Sequence, residues 1–352
     1  MKAIYYNILG LGHILPTLPL TRDLVQRGAE VIYHSHPERR GLIEETGAAF
    51  RNYGRDSYKA EDYNPGKNFV LQTIPATLGL LPFLLEELER EKPDALYYDS
   101  MAPWGKALAQ ITGLPSVCTV TTFALSMRKK SEMFARFGIE EDETNLLARK
   151  KLKEIYGVEL DLTDALGAYG RKNLVFTTED FNPPVDDASA FTFLGPRLER
   201  QEDTSGLILP DRKKTFITMA LGTILQKEHP EVTDWYRELI RAFGNDPEYE
   251  LILAAGDLGE LPPNARSYEK IPQLLALAHS DVFINHGGMN SINEGLHFNV
   301  PMIAIPRSHD QFINADRLLE TKKGLVIRHD RVTAHVLRSS VERLLRSRDE
   351  SA

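Results

Sequence analysis

D-V-F-I-N-H-G-G-M-N-S-I-N-E-G-L-H-F-N-V-P-M-I-A-I-P-R-S-H-D-Q, residues Asp281 to Gln311, joins two apolar strands through a Gly-Gly turn and a helix. Val282 to Ile284 reads as a strand and runs into His286-Gly287-Gly288. The helix is expected to open at Asn290-Ser291, either of which could be its N-cap, with Glu294 in its first turn. Met302 to Ile305 reads as the next strand, ended by Pro306, and a loop then carries Asp310-Gln311. Strand, glycine turn and helix in that order are the parts of a parallel α/β unit. They also make an anion site. The first N–H groups of a helix have no partner inside it, and the helix dipole favours negative charge there. The polar side chains around this turn point to phosphate as the anion.

The same alternation extends in both directions. Upstream, strands are expected near Ile4 to Leu9, Val31 to His34, Ala95 to Tyr98, Ser116 to Val120, Leu174 to Thr177 and Phe191 to Gly195. Helices such as Pro19 to Arg27 and Pro103 to Ile111 lie between them, with Gly28 and Gly113 where helices would be capped. Pro196 to Lys214 is rich in charge, Gly and Pro and has no apolar period, so it reads as a linker. Strands then resume at Phe216 to Ala220 and Leu251 to Ala254, and Trp235 to Phe243 has helical spacing. The division expected is an N-terminal unit over 1–200, a linker over 201–214 and a C-terminal unit over 215–352.

Composition excludes several classes. The chain has 352 residues, which suits two domains rather than one core. A net charge of −8 argues against a nucleic-acid partner. Cys118 is the only cysteine, so there is no intramolecular disulfide or cysteine zinc site, and a reducing, cytoplasmic setting is expected. No run of about 18 apolar residues occurs, so no membrane span is expected. The histidines show no metal-ligand spacing. Arg128-Lys129-Lys130 reads as a solvated helix start.

Ligands of doubly wound sheets bind beyond the carboxyl ends of the strands. His13, Asp99, Thr223 and His286 each follow a strand. His13, in G-L-G-H-I-L-P at 10 to 16, reads as a surface loop residue or as a general base. Asp99 reads as an N-cap for the helix near Pro103, as could Ser100, or as a partner that orients His13. Asp310-Gln311 reads as a turn and helix cap or as a set of groups for sugar hydroxyls. Glu294 reads as favourable to the helix dipole or as an acceptor for a ribose hydroxyl pair.

Taken together, Pro272-Gln273, H-G-G-M-N-S at 286 to 291, Glu294, Val300-Pro301, Asp310-Gln311 and Asn314-Ala315 resemble a known family. It is that of the nucleotide-sugar-dependent glycosyltransferases acting on small molecules, which includes plant secondary-metabolite and bacterial macrolide enzymes. The resemblance covers nearly the whole chain and is weaker in its N-terminal half. It implies the α/β fold called GT-B, two Rossmann-like domains with parallel sheets facing across a cleft. It also implies an inverting enzyme that moves a sugar, with glucose expected, from a UDP- or dTDP-sugar to a hydroxyl of a largely apolar acceptor such as a polyphenol or macrolide.

By that resemblance His13 is the base and Asp99 its acidic partner. Thr223, His286, Gly288, Asn290 and Ser291 hold the donor diphosphate, Glu294 the ribose, Gln273 the base, and Asp310 and Gln311 the transferred sugar. The acceptor would meet apolar residues of the first unit, among them Phe69, Phe83, Met101, Trp104 and Phe123. No cofactor or metal is expected beyond the nucleotide-sugar co-substrate. The family's usual Trp three residues before the glutamine is Lys270 here, its Gly before Val-Pro is Asn299, and the plant-type Trp after Gly-Gly is Met289. Relatives of this kind continue past the helix expected at Val336 to Leu345, so the final family helices are expected to be missing. Two alternatives stay open: a nucleotide-sugar epimerase of the same fold, and a non-catalytic nucleotide-sugar-binding helper protein.

Overall fold

The alternation of strand and helix builds two parallel sheets in a computed structural model that describes residues 1–53, 70–198, 206–209, 213–222, 231–307 and 309–349. The first sheet contains β1 (Lys2–Tyr6), β2 (Glu30–His34), β3 (Ala49–Arg51), β4 (Ala95–Asp99), β5 (Ser116–Val120), β6 (Asn173–Val175) and β7 (Phe191–Phe193). Its order is β3-β2-β1-β4-β5-β6-β7, with every neighbour pair parallel. The second sheet contains β8 (Thr215–Ala220), β9 (Tyr249–Leu253), β10 (Ala265–Ser267), β11 (Val282–Asn285), β12 (Met302–Ala304) and β13 (Gly324–Val326). Its order is β10-β9-β8-β11-β12-β13, again all parallel. Each sheet thus reverses its winding once, between β1 and β4 in the first and between β8 and β11 in the second. Such switch points open a crevice at the carboxyl ends of the flanking strands.

Both faces of each sheet are covered, which is why the strands are apolar at nearly every position. Side chains alternate across a strand. Ile4 and Tyr6 of β1 join one apolar cluster with Leu96, Leu84 and Leu108, while Tyr5 joins another with Tyr33, Ile14 and Leu18. In the second sheet Ile217, Met219, Leu251 and Leu253 pack with Trp235, Leu239 and Phe243, while Phe216 and Ile252 face Leu207 and Ala276.

The chain divides into Met1–Glu199 and Arg200–Ala352. Most of the expected linker lies outside the described residues, Thr223 and Phe69 with it. Leu207 is buried against Phe216, so that part of the linker stretch belongs to the second unit's core. β1 ends at Tyr6 rather than Leu9, and residues 11 to 14 form a short helix where a loop is expected. The edge strands β3, β10 and β13, each three residues long, are absent from the expectations. Asn299 takes a left-handed φ of 53°, the conformation that Gly would adopt before Val-Pro. Lys130 corrects the solvated reading of the basic run: it is buried, donates to the Gly167 carbonyl at 2.6 Å and lies over the Tyr169 ring. That burial pulls its pKa down to about 8. Among the described residues no helix is long and apolar enough to cross a membrane.

Candidate active site

In the first unit, β1 and β4 flank the switch point, and the residues after each converge. His13 sits in the helix Leu11–Ile14, not on a loop. Its Nδ1 lies 3.1 Å from both carboxylate oxygens of Asp99, which is fully buried at the end of β4. The N-cap reading of Asp99 does not hold. Ala102 is the N-cap of the helix Pro103–Thr112, without a side-chain cap, and Asp99 Oδ1 instead accepts from the Met101 N–H at 2.8 Å. Asn7 holds the short helix from below, donating to the His13 carbonyl at 3.1 Å and to the Tyr33 hydroxyl at 2.7 Å. Thr121, which the sequence reading did not single out, follows β5 with its Oγ1 2.8 Å from His13 Nδ1 and 3.1 Å from Asp99 Oδ2.

A buried carboxylate against Nδ1 favours the tautomer with hydrogen on that nitrogen and steadies the imidazolium that forms when the other nitrogen takes a proton. Proton transfer with the outside therefore falls to Nε2.

The apolar residues named for an acceptor divide. Met101 and Phe83 are half-buried. Phe123 is buried with its ring 5.6 Å from that of Phe181. Trp104 is fully buried, donates to the Tyr53 hydroxyl at 3.2 Å and belongs to the core of the unit. With no exposed surface, Trp104 is placed for packing rather than for lining a pocket.

In the second unit the corresponding switch point lies between β8 and β11. Beyond β11, Asn285 Oδ1 accepts the Gly287 N–H at 2.7 Å, and Asn314 Nδ2 donates to the Gly287 carbonyl at 2.9 Å. Gly287 is held at φ +85°, and a Cβ there would meet the Gln311 carbonyl oxygen at 3.0 Å. The helix Met289–His297 is capped by Gly288, with no side-chain cap. The N-cap expectation for Asn290 or Ser291 is corrected: both lie inside the first turn. Glu294 falls in the second turn, beyond the reach of most of the dipole. Gly288 has no side chain to cap the first N–H groups of the helix, and the turn that carries His286 brings them to the end of β11. The buried His286 Nδ1 has no hydrogen-bond partner among the described residues. Burial lowers the His286 pKa to about 4, so the ring is neutral at neutral pH and offers an N–H without a charge.

Gln273, on the helix Gln273–Leu277, reaches Ser291 Oγ at 3.3 Å and makes a close contact with Glu294 Oε2. Burial raises the Glu294 pKa to about 7, with the Gln273 bond acting in the opposite direction. Lys270 is exposed just before this helix. Asp310 and Gln311 are not on a loop but in the first turn of the helix His309–Glu320. Asp310 is exposed, while Gln311 is buried and its Oε1 accepts the Arg307 N–H at 2.9 Å.

The chain is similar to known proteins over nearly its whole length. A family model described as "Erythromycin biosynthesis protein CIII-like, C-terminal domain" matches residues 246–352. A UDP-glucosyltransferase of Bacillus subtilis (strain 168), YdhE, named as uncharacterized, is 32% identical over 99% of this chain and 91% of its own length. The oleandomycin glycosyltransferase of Streptomyces antibioticus is 28% identical over 95% of this chain and 81% of its own. The crystal structure of the glycotransferase of kitacinnamycin matches with a TM-score of 0.80 at 28% identity, covering 98% of this chain and 90% of that one.

Proposed function

This chain belongs to the GT-B glycosyltransferases that act on macrolides and other small molecules, and we propose that it is an inverting, UDP-sugar-dependent member using His13 and Asp99 as its base. The observation that carries the reading is the anchoring of His13 Nδ1 by a fully buried carboxylate at the switch point of the first sheet. A helper protein that only binds a nucleotide sugar has no use for such a pair.

The chemistry divides between the units. An acceptor hydroxyl becomes a nucleophile as His13 Nε2 takes its proton, and Asp99 stabilises the imidazolium. The oxygen attacks the anomeric carbon while the bond from that carbon to the diphosphate breaks, so configuration inverts. The departing diphosphate gains negative charge. His286 and the N–H groups of Gly288, Asn290 and Ser291 are the donors for that charge in the second unit, with Thr223 proposed beside them. Glu294 and Gln273 would hold the ribose and base, and Asp310 and Gln311 the sugar. The name of the Bacillus subtilis relative favours UDP and glucose as the donor parts. Neutralisation by helix N–H groups and His286 is the reason for proposing that no metal is required. A largely apolar acceptor fits the half-buried Met101 and Phe83.

The test is a screen of UDP- and dTDP-sugars against a panel of polyphenols and macrolides, read by mass spectrometry with and without a chelator. A glycosylated product that depends on acceptor and survives chelation is expected. An epimerised donor formed without acceptor would replace this reading by the epimerase one.

Donor affinity is also expected to depend on pH through Glu294. Its carboxyl is half protonated near pH 7 in the ligand-free protein. A ribose hydroxyl pair is best accepted by the ionised form, so below that pH binding must first expel a proton. Affinity should therefore fall as pH drops from about 8 to about 6. Calorimetry with a UDP-sugar, whose diphosphate diester stays fully ionised over this range, should give a flat profile in Glu294→Gln. A wild-type profile equally flat would remove Glu294 from the ribose site.

A further inference from the structure

Nδ1 of His13 has a neighbour closer than Asp99. Thr121 Oγ1 stands 2.8 Å from it, against 3.1 Å for each carboxylate oxygen. Strand geometry puts it there. β5 pairs with β4 so that Thr119 lies opposite Asp99, and residues two apart share a face. Thr119 turns its hydroxyl to the Tyr5 hydroxyl and the Tyr98 carbonyl, so it braces the sheet below. Thr121, one step further along the same face, is left to meet the dyad. It is buried and satisfied by the dyad itself.

We propose that Thr121 is a positioning residue that fixes the proton of neutral His13 on Nδ1 and so reserves Nε2 for the acceptor hydroxyl. The proposal rests on the reading of His13 and Asp99 as the base pair of the transfer reaction. The argument is one of counting protons. A hydroxyl has one hydrogen and an ionised carboxylate only accepts. The Thr121 proton therefore goes to Asp99 Oδ2, 3.1 Å away, and the oxygen presents only lone pairs to Nδ1. Nδ1 then faces three acceptor oxygens. A ring lone pair in that position would be repelled by all of them, so Nδ1 carries the hydrogen and Nε2 the lone pair.

Thr121 acts on Asp99 as well. Oδ1 is held by the Met101 N–H and Oδ2 by the Thr121 hydroxyl, one donor to each oxygen. The carboxylate is thereby fixed about the axis that carries the imidazole. Neither function needs contact with donor or acceptor, so the effect belongs in kcat and not in KM.

The experiment compares Thr121→Val, Thr121→Ser and His13→Ala in the full chain with one productive donor and acceptor. Thr121→Val keeps the shape and removes the hydroxyl. Its kcat should fall on the order of tenfold, the worth of one hydrogen bond to a charged group, with both KM values unchanged. Thr121→Ser should recover most of the loss. In the neutral protein, ¹⁵N spectra of His13 should show hydrogen on Nδ1 in the wild type and in Thr121→Ser, and a mixture of tautomers in Thr121→Val. A wild-type kcat in Thr121→Val, a loss confined to KM, or no recovery in Thr121→Ser overturns the proposal. If His13→Ala itself keeps a kcat within a few-fold of wild type, the base reading fails and the proposal with it. If His13→Ala is inactive while Thr121→Val is not impaired, the base reading stands and only the role of Thr121 is lost.

Discussion

His13→Ala is expected to lower kcat for sugar transfer by about 10²–10⁴-fold, the usual contribution of a positioned general base, with donor KM near its original value. The reason is local. An alcohol does not attack an anomeric carbon at a useful rate while it keeps its proton, and among the described residues His13 is the histidine joined to a fully buried carboxylate at the first switch point. The donor groups lie in the other unit, so removing the imidazole should not touch them. Asp99→Asn should give a loss of similar size by another route. The amide can present N–H to Nδ1 and favour the tautomer with its lone pair on the wrong nitrogen. In serine proteases the equivalent exchange costs about 10⁴-fold. Steady-state kinetics with the best acceptor from the screen decides the matter. A kcat for His13→Ala within a few-fold of wild type would mean that the proton leaves by another group.

The parts legible in the sequence are those written in local pattern. The run Val282 to Ile284 before Gly287-Gly288 is a strand and a turn, and both are found where the pattern puts them. The pairing of His13 with Asp99 is legible too, because each follows a strand and strand ends gather at a crevice. What stayed illegible depends on side-chain direction. Gly288 caps its helix through the backbone alone, so two plausible polar caps, Asn290 and Ser291, misled. Asp99 has the sequence position of an N-cap, yet its carboxylate is used by Met101 and His13. Thr121 is one of several threonines after an apolar run, and nothing in spacing separates it from Thr122. Trp104 and Lys130 show the limit most plainly. Burial of each is set by partners far along the chain, Tyr53 for the indole and Gly167 for the ammonium. Local periodicity carries no record of such pairs.

Gly288→Ala is expected to be the most damaging single methyl group in the second unit that leaves the fold intact. Gly288 has φ −65°, an ordinary value for any residue, so alanine introduces no backbone strain. The added Cβ would stand 2.4 Å from His286 Nε2 and 2.9 Å from its Cε1, far inside contact distance. The imidazole is the part that can move, and it would swing away from the helix N-terminus. On the proposed mechanism this removes a donor from the diphosphate as charge develops, a loss of about 10²–10³-fold in kcat by analogy with deleting one oxyanion donor. Gly287→Ala is the contrasting case. Its φ of +85° and the 3.0 Å approach to the Gln311 backbone oxygen leave no side chain to yield. That variant should lose about 1–3 kcal/mol of stability to strain, whereas Gly288→Ala should melt within a few degrees of wild type. A double-mutant cycle separates ring displacement from direct obstruction. In a His286→Ala background the additional Gly288→Ala change should cost little, because there is no longer a ring to displace. Independent, additive losses would mean that the methyl group blocks the donor itself. An unimpaired Gly288→Ala enzyme would detach His286 from the diphosphate altogether.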